Sequence, residues 1–262
     1  METTNTDVEQ NHTENIDIEN NVAYSVKPKV LPPPQLKRFY HADTTKYELC
    51  IDEAGRGCLF GRVYIACVVL PKDPNLFSGK DIKDSKKFSS KRKIQEVSTY
   101  IKQNALAYHI SYVDEKVIDQ INILQAVMRG MHECINKSVI NLDTSIQDCF
   151  ALIDGNYFTP YISYCDKRET FVEMPYLTVE QGDAKYMGIA AASILAKTAR
   201  DEYVLEMCRE HHELVDNYSL DKNMGYGTKL HLNGIREHGV TKWHRRTFGI
   251  CRDAPTVSEN LV

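Results

Sequence analysis

The amino-acid sequence predicts an α/β domain in which antiparallel strands are followed by parallel strands. Short apolar runs typical of buried strands recur along the chain, and two long segments have the apolar spacing of helices. The elements follow the order strand, strand, strand, helix, strand, strand, helix, which indicates an antiparallel meander that continues into parallel strands. The chain has 262 residues, 42% of them hydrophobic. That is enough for one large core or two small ones.

The first half of the domain contains three predicted strands. Tyr47 to Ile51 and Val63 to Leu70 are apolar runs joined by a Gly-rich turn, and Pro71 ends the second. Residues 89–96 are a plausible helix start, with serine as the N-cap. Leu106 to Val113 alternates in the manner of a third strand. These strands form the predicted meander.

The second half alternates helices with strands. Asp114 to about Ser138 has apolar residues at helical spacing. Phe150 to Ile153 is a short strand, and Thr170 to Val179 is predicted to be one further strand. Gly188 to about His211 reads as a long helix with an Ala-rich first half, and Leu230 to His238 as a shorter one.

Composition divides the chain into a tail, a domain and a short end. Residues 1–45 are polar and end in a Pro-containing stretch, so we expect a disordered tail. Its first 20 residues hold six acidic and no basic side chains, a formal charge of −6, so the rest carries +2 of the total −4. We expect a catalytic domain over residues 46–253 and disorder over 254–262. A nearly neutral body binds nucleic acid only through local patches.

The cysteines and the apolar runs bear on the cellular compartment. The eight cysteines are scattered, with no Cys-x-x-Cys pair, which disfavours a zinc site and favours buried reduced thiols. The N-terminus lacks the features of a secretory signal, and no apolar run approaches the roughly 20 residues of a membrane helix. We expect a soluble, intracellular monomer with no membrane contact, placed in the cytoplasm, with the nucleus left open.

Four carboxylates stand next to glycines where predicted strands end. Asp52 and Glu53 follow the first strand, Asp154 precedes Gly155, and Asp183 follows Gly182. Each alone is compatible with a solvated turn, an Asp-Gly turn or a helix start. Together they would repel one another unless cations neutralise them, and carboxylate oxygens are ligands for Mg²⁺ or Mn²⁺. The set predicts a metal site for phosphoryl transfer or phosphodiester hydrolysis.

Two basic stretches could hold a phosphate backbone. Residues 80–93 and 222–246 each have a net charge of +5, and the second also contains Tyr226, His231, Trp243 and His244. Such runs are most often solvated faces. Two of them on a nearly neutral body, interleaved with aromatic side chains, suit nucleic acid.

Several of these segments, in this order, resemble the motifs of type 2 ribonuclease H, the ribonuclease HII family. The resemblance covers about Tyr47 to about Arg252 and excludes the tail. The segments are 51–62 (IDEAGRGCLFGR), 84–88 (DSKKF), 121–132 (INILQAVMRGMH), 153–157 (IDGNY), 182–202 (GDAKYMGIAAASILAKTARDE), 225–232 (GYGTKLHL) and 244–249 (HRRTFG). Long motifs in register are far more specific than any short pattern.

The resemblance implies a fold and an activity. The fold is ribonuclease H-like: a five-stranded mixed sheet flanked by helices, with a C-terminal helical extension. The enzyme is an endonuclease that hydrolyses the RNA strand of RNA–DNA hybrids. It also nicks duplex DNA on the 5′ side of an embedded ribonucleotide, leaving 3′-hydroxyl and 5′-phosphate ends.

The resemblance also implies roles for individual residues. The four carboxylates would be catalytic and would hold two Mg²⁺ or Mn²⁺ ions. Gly55, Arg56 and Gly57 match the element that reads the ribose 2′-hydroxyl, and Tyr226 matches the tyrosine that packs on the sugar. Lys86 and Lys87, in the basic motif, are further expected substrate contacts.

The chain departs from the family pattern at a few positions. Cys58 stands where the family usually has proline, and Arg62 where it has proline or a small residue, which affects turn rigidity more than catalysis. The spacing from Asp154 to Asp183 is long, and residues 158–172 are expected to form a surface loop.

Three alternatives differ in testable ways. The ribonuclease HIII family has Gly-Lys-Gly where this chain has Gly55-Arg56-Gly57, and a folded N-terminal platform. A non-catalytic scaffold would lack a carboxylate, and all four are present. The third alternative, the catalytic subunit of a hetero-oligomeric ribonuclease H, stays open.

Overall fold

A computed structural model describes residues 35–165 and 168–257 of the chain. The expected tail up to residue 34 and the expected disordered end from 258 lie outside the described residues. So do residues 166 and 167.

The described residues form a five-stranded mixed sheet and a separate two-stranded hairpin. The strands are β1 (Tyr47–Ala54), β2 (Val63–Val69), β3 (Ala107–Val113), β4 (Cys149–Asp154), β5 (Ile162–Cys165), β6 (Thr170–Glu173) and β7 (Tyr176–Val179). The large sheet has the order β3-β2-β1-β4-β7. β1, β2 and β3 pair antiparallel, whereas β4 runs parallel to both β1 and β7. The predicted meander followed by parallel strands is confirmed.

Six helices accompany the strands in the described part of the chain. They are α1 (Lys91–Asn104), α2 (Glu115–Asn141), α3 (Met187–Glu210), α4 (Glu213–Asp216), α5 (Leu220–Asn223) and α6 (Lys229–His238). The side chain of Ser90 accepts a hydrogen bond from the Lys93 N–H, and that of Asp114 from the Val117 N–H. These caps satisfy amide groups that the first helical turn leaves free, which explains why α1 and α2 begin there.

The sheet lies between α2 on one face and α1 with α3 on the other. Side chains alternate along each strand, so Ile65 of β2 belongs to the cluster with Met131 of α2, and Val68 to the cluster with Val97 of α1 and Ala191 of α3. A third buried cluster joins the end of α3 to α4, α5 and α6. This is the predicted C-terminal helical extension, and its core reaches the loop between β1 and β2 through Phe60.

The prediction of one strand over residues 170–179 is wrong. Pro175 divides it, because proline has no N–H to donate to a sheet. Before the proline, β6 pairs with β5 in the hairpin, and after it β7 joins β4. The expected surface loop 158–172 therefore contains strand β5 and the start of β6, with Ile162 and Phe171 exposed at 55% and 71%.

Residues at both ends of the domain make contacts outside the predicted limits of 46 and 253. The Arg38 guanidinium donates to the Phe77 carbonyl at 2.7 Å. The buried Glu48 carboxylate accepts hydrogen bonds from the backbone N–H groups of Tyr40 and His41, each at 2.9 Å. At the other end, the Val240 N–H donates to the Pro255 carbonyl at 2.8 Å. Part of the expected tail is thus packed against the domain.

No helix in residues 35–165 or 168–257 is long and apolar enough to cross a membrane.

We predict that two truncations will separate the packed segment from the residues before it. A chain that starts at residue 35 keeps the contacts of Arg38, Tyr40 and His41 and should melt close to the parent. A chain that starts at residue 46 leaves the buried Glu48 carboxylate without two donors, at a cost of roughly 1–3 kcal/mol. Its melting temperature should fall by more than about 4 °C. Calorimetry on both proteins is the test, and equal melting temperatures would contradict the packed role.

Candidate active site

Strand register brings two of the predicted carboxylates together. β1 runs to Ala54, so Asp52 and Glu53 lie inside the strand rather than after it. Ile51 pairs with Ile153 across the parallel β1–β4 ladder. The next residues, Asp52 and Asp154, are therefore neighbours at the carboxyl end of the two central strands, where α/β sheets place their sites.

Backbone N–H groups orient these carboxylates. The Glu53 N–H donates to Asp52 Oδ1 at 2.7 Å, and the Gly182 N–H donates to Asp154 Oδ1 at 2.6 Å. Gly182 opens the short 3-10 turn that carries Asp183, and a Cβ there would come within 3.1 Å of Asp154 Oδ1. The glycine before Asp183 thus allows the close approach that aims Asp154.

A cavity of about 270 Å³ opens beside these carboxylates. Eight of the ten predicted site residues line it. They are Asp52, Glu53, Gly55, Arg56, Gly57, Lys86, Asp154 and Tyr226. The remaining two, Asp183 and Lys87, do not line it, although Asp183 Oδ2 lies 3.8 Å from the Nζ of Lys86. Lys87 instead pairs with Asp84 at 3.7 Å.

The carboxylates carry charge at an electrostatic cost. Burial raises the pKa of Asp52 well above its ordinary value, and repulsion from Asp154 and Glu53 adds to the rise. Burial also raises the pKa of Glu53, although the Arg56 guanidinium opposes the change. Burial raises the pKa of Asp154 as well, against the hydrogen bond from Gly182. A cation at this position would relieve both the desolvation and the repulsion.

The donor set suits a hard divalent cation. Carboxylate oxygens, which Mg²⁺ and Mn²⁺ prefer, come from Asp52, Glu53 and Asp154 in the cavity wall, and no cysteine or histidine lines the cavity. Within residues 35–165 and 168–257, no three His, Cys, Asp or Glu side chains already stand close enough to enclose an ion. The raised pKa values of the three carboxylates in the cavity wall reflect burial first and mutual repulsion second, and a cation would offset both.

Two buried arginines hold the loop from Gly55 to Arg62. Arg200 of α3 donates to the carbonyl of Phe60 at 3.1 Å and to that of Met224 at 2.7 Å. Arg245 donates from Nε to the Gly61 carbonyl at 2.8 Å and from Nη1 to the Arg56 carbonyl at 2.9 Å. Arg200 is 1% exposed and Arg245 is 0% exposed. Charged donors on backbone carbonyls fix the course of the loop.

Two of the three glycines in this loop, Gly55 and Gly57, meet different surroundings. Gly55 has a φ of +89°, and a Cβ on it would lie 2.0 Å from Nε of Arg200. Only glycine satisfies both the left-handed backbone and the close guanidinium. A Cβ on Gly57 would meet no atom within 4 Å. Its bare backbone faces the cavity rather than the protein.

Tyr226 reaches the cavity from the other side of this loop. It follows Met224 and Gly225, whose φ values are 51° and 81°, so the chain turns sharply before it. The Leu59 N–H donates to the Gly225 carbonyl at 2.9 Å, which links the two loops. The Tyr226 ring centroid lies 5.8 Å from Cζ of Arg200, and the residue is 47% exposed. One face of the cavity therefore carries an accessible aromatic ring.

The basic stretches contribute less than their charge predicts. In the first, Lys93 pairs with Asp81 at 2.9 Å and Arg92 with Glu96 at 2.9 Å, which leaves Lys86 as the member that reaches the cavity. In the second, Arg245 is buried in the loop contact described above.

Sequence reasoning missed several residues of the cavity and its support. Four residues of α3 line it: Ser193, Lys197, Arg200 and Asp201. Arg245 supports its wall by donating to the Arg56 carbonyl. The signal was present in the spacing: residues 193, 197, 200 and 201 fall on one helical face. Polar and charged side chains on one stripe of an otherwise Ala-rich buried helix indicate a site.

Both departures from the family pattern are accommodated. The Arg62 guanidinium lies between two aromatic rings, 4.1 Å from the Tyr112 centroid and 4.5 Å from that of Tyr203. Cys58 is fully buried and its N–H donates to the Gly55 carbonyl at 3.3 Å, a bond that proline could not make.

The mixed five-stranded sheet with flanking helices has the ribonuclease H-like fold. Two solved structures share the fold. The ribonuclease H2 of Pyrococcus horikoshii gives a TM-score of 0.55 at 22% identity, covering 79% of this chain and 96% of that one. The ribonuclease HII of Archaeoglobus fulgidus was solved in a complex with PCNA. It gives a TM-score of 0.57 at 20% identity, covering 78% of this chain and 95% of that one.

Sequence comparison defines the family. The family model for ribonuclease HII matches residues 49–251. Ribonuclease HII of Parabacteroides distasonis is 40% identical over 217 residues, which cover 83% of this chain and 97% of that protein. Ribonuclease HII of Bacteroides thetaiotaomicron is 42% identical over 204 residues, which cover 77% of this chain and 89% of that protein. The chain belongs to the ribonuclease HII family, and the predicted resemblance is confirmed.

Family membership establishes the class of reaction. The protein is an enzyme, a ribonuclease H endonuclease that acts on RNA–DNA hybrids, in a family that depends on divalent metal ions.

We predict that alanine at Gly55 will lower stability, whereas alanine at Gly57 will weaken substrate binding and leave stability unchanged. Gly55→Ala introduces strain of about 1–3 kcal/mol and displaces Arg200, so the melting temperature should fall by more than about 4 °C. Gly57→Ala meets no protein atom, so the melting temperature should stay within about 1 °C while KM for substrate rises. Thermal melts and steady-state kinetics on both variants check this. A destabilised Gly57→Ala protein, or a parent-like Gly55→Ala protein, would contradict it.

We predict that Asp52→Asn is more stable than the parent in EDTA at pH 8. A carboxyl with a raised folded-state pKa costs stability once it ionises, so the gain should be a few degrees at pH 8 and shrink as the pH falls toward the ordinary Asp value. Cleavage should be lost. Asp201→Asn is the matched control, since Asp201 lines the cavity but pairs with Lys197 at 2.8 Å. A lower melting temperature for Asp52→Asn under these conditions would show that the buried charge of Asp52 does not cost stability.

Proposed function

We propose that this enzyme hydrolyses the RNA strand of RNA–DNA hybrids and also nicks duplex DNA on the 5′ side of an embedded ribonucleotide. The products have 3′-hydroxyl and 5′-phosphate ends. One observation carries the proposal: the carboxylates, the open backbone of Gly57 and the exposed ring of Tyr226 border one cavity. A site that combines hydrolysis with inspection of a single sugar needs all three.

We propose that Asp52, Glu53, Asp154 and Asp183 hold two Mg²⁺ or Mn²⁺ ions. When bound, such ions activate a water molecule and stabilise charge on the reacting phosphate. The chain itself sets the direction of the ligands. The N–H groups of Glu53 and Gly182 hold one oxygen each of Asp52 and Asp154, which leaves the other oxygens for the cation.

Positive charge near the cavity would attract the phosphate backbone. Lys86 is 82% exposed in its side chain and lies next to Asp183. Arg200 and Arg245 donate to carbonyls, and within the described ranges no carboxylate forms a salt bridge with either. Burial lowers the pKa of Arg245 only to about 10, so it keeps its charge at neutral pH. We expect these charges to favour a phosphate at the cavity mouth. Lys87 would contact the backbone further out.

Recognition of the ribose falls to the loop and the tyrosine in this proposal. Gly57 offers a backbone that a sugar can approach, and the 2′-hydroxyl is the group that distinguishes RNA from DNA. Arg56 is held 3.4 Å from Glu53, so the loop is tied to the carboxylates. Tyr226 would pack on the sugar beside the junction. All of these residues belong to one chain, so we propose a monomeric enzyme.

We predict that Asp154→Asn lowers cleavage at least about 100-fold while the affinity for duplex changes less than about threefold. The variant loses an anionic ligand and keeps the basic side chains that hold phosphates. The substrates are a DNA duplex with one ribonucleotide, an RNA–DNA hybrid and an all-DNA duplex, each with Mg²⁺ or Mn²⁺. Asp148→Asn, in the 3-10 turn just before β4, is the matched control.

Two results would reject the proposal. One is near-parent turnover by Asp154→Asn. The other is the lack of a metal-dependent cut beside the single ribonucleotide by the parent enzyme.

A further inference from the structure

Two buried histidines face each other beneath the cavity. His231 of α6 is 0% exposed and His244 is 1% exposed, and their Nε2 atoms are 3.1 Å apart. Neither lines the cavity. Polar groups buried this deeply normally serve a defined hydrogen-bond network.

The direction of the hydrogen bonds follows from one end of the network. The backbone N–H of Thr241 lies 3.0 Å from Nδ1 of His244. A backbone N–H can only donate, so Nδ1 of His244 is the acceptor and its proton is on Nε2. That Nε2–H then donates to Nε2 of His231.

The other end of the network requires the same direction. Nδ1 of His231 lies 3.0 Å from the carbonyl oxygen of Tyr226. A carbonyl can only accept, so Nδ1 of His231 carries the proton and Nε2 is free to accept. Both ends thus assign the same tautomers, and the chain of donors runs from Thr241 through His244 and His231 to Tyr226.

The network works only with both rings neutral. A proton on His231 Nε2 would set two donors against each other across 3.1 Å, and a proton on His244 Nδ1 would oppose the Thr241 N–H. The surroundings favour the neutral forms. Burial lowers the pKa of His231, and burial with repulsion from His231 lowers that of His244. The Tyr218 ring packs at 4.9 Å from the His244 ring.

We propose that His231, whose donor direction the contact with His244 assigns, is a positioning residue that sets the ring of Tyr226 against the sugar of the ribonucleotide. The inference rests on the sugar-packing role proposed above for Tyr226. Within the loop, the Tyr226 carbonyl accepts from His231 and, at 2.8 Å, from the Thr228 N–H. These two donors fix the peptide plane from which the half-exposed ring projects.

The loop needs such an anchor because of its backbone. Met224 and Gly225 both have positive φ, a conformation that non-glycine residues rarely adopt. If the His231 donor is lost, the strained turn can relax and the ring moves. A displacement of about 1 Å can cost on the order of 100-fold in rate when one phosphate must be placed accurately. A single ribonucleotide offers one productive register, whereas a long hybrid offers many.

A matched pair of variants at position 231 tests the hydrogen bonds of the two ring nitrogens separately. In His231→Asn, the side-chain NH₂ stands near the place of Nδ1 and can still donate to the Tyr226 carbonyl. In His231→Gln, the longer side chain places its amide near Nε2, where it can accept from His244 but cannot reach Tyr226. Both variants keep one hydrogen bond and lose one, so a purely structural role predicts similar behaviour.

The test measures kcat/KM on the single-ribonucleotide duplex and on a long hybrid, with melting temperatures, for both variants and for Tyr226→Ala. We expect His231→Asn to stay within about threefold of the parent on both substrates. His231→Gln should lose about tenfold on the single ribonucleotide and clearly less on the hybrid, as should Tyr226→Ala. His244→Asn keeps the acceptor for Thr241 and breaks only the link to His231, which retains its donor to the Tyr226 carbonyl, so it should follow His231→Asn. It replaces His231→Asn if that variant does not fold at the assay temperature.

Each contrary result has a distinct meaning. Equal loss on both substrates by Tyr226→Ala would reject the sugar contact, and with it the positioning role. Selective loss by Tyr226→Ala together with equal behaviour of His231→Asn and His231→Gln would overturn the positioning role alone. A selective loss of about tenfold by a folded His244→Asn protein would also overturn it, because that variant keeps the donor to Tyr226.

Discussion

The guanidinium groups of Arg200 and Arg245 donate to backbone carbonyls on both sides of the loop between β1 and β2. Hydrogen bonds from charged groups contribute roughly 1.5–3 kcal/mol each, and leaving a buried charge without partners is strongly destabilising. The loop therefore has one low-energy course. The open backbone of Gly57, the approach of Tyr226 and the direction of the cavity all depend on that course. A small set of charged hydrogen bonds thus connects the rigid core to the loop and fixes the shape of the cavity.

The same region balances opposite charges. The carboxylates at the strand ends repel one another and are partly desolvated, while Arg200 and Lys86 bring positive charge to the same cavity. Neither set neutralises the other fully, because the arginines spend their donors on carbonyls. The guanidinium groups thus fix the course of the loop and leave the repulsion between the carboxylates in place. Such a site costs folding stability that a core of ordinary side chains must offset.

Local periodicity predicted most of the fold, because strand and helix patterns depend on neighbouring residues. It also placed Asp52 and Asp154 at strand ends, where parallel register makes them neighbours. It was wrong at Pro175, where the predicted single strand is divided into β6 and β7. It could not place Arg245, whose partner Arg56 is 189 residues away in the chain. Residues that act through distant contacts leave no local pattern, and the buried histidines belong to the same class.

That separation of 189 residues has a consequence for how each copy of the enzyme is made. Chains emerge from the ribosome at about 5–20 residues per second, so Arg245 follows Arg56 by roughly 10–40 s. During this interval the nascent chain acquires its carboxylates but has neither the second guanidinium nor His244. The contacts that fix the loop between β1 and β2 are completed last. An unfinished polypeptide can carry Asp52, Glu53, Asp154 and Asp183 and still lack the guanidinium that holds the loop beside them.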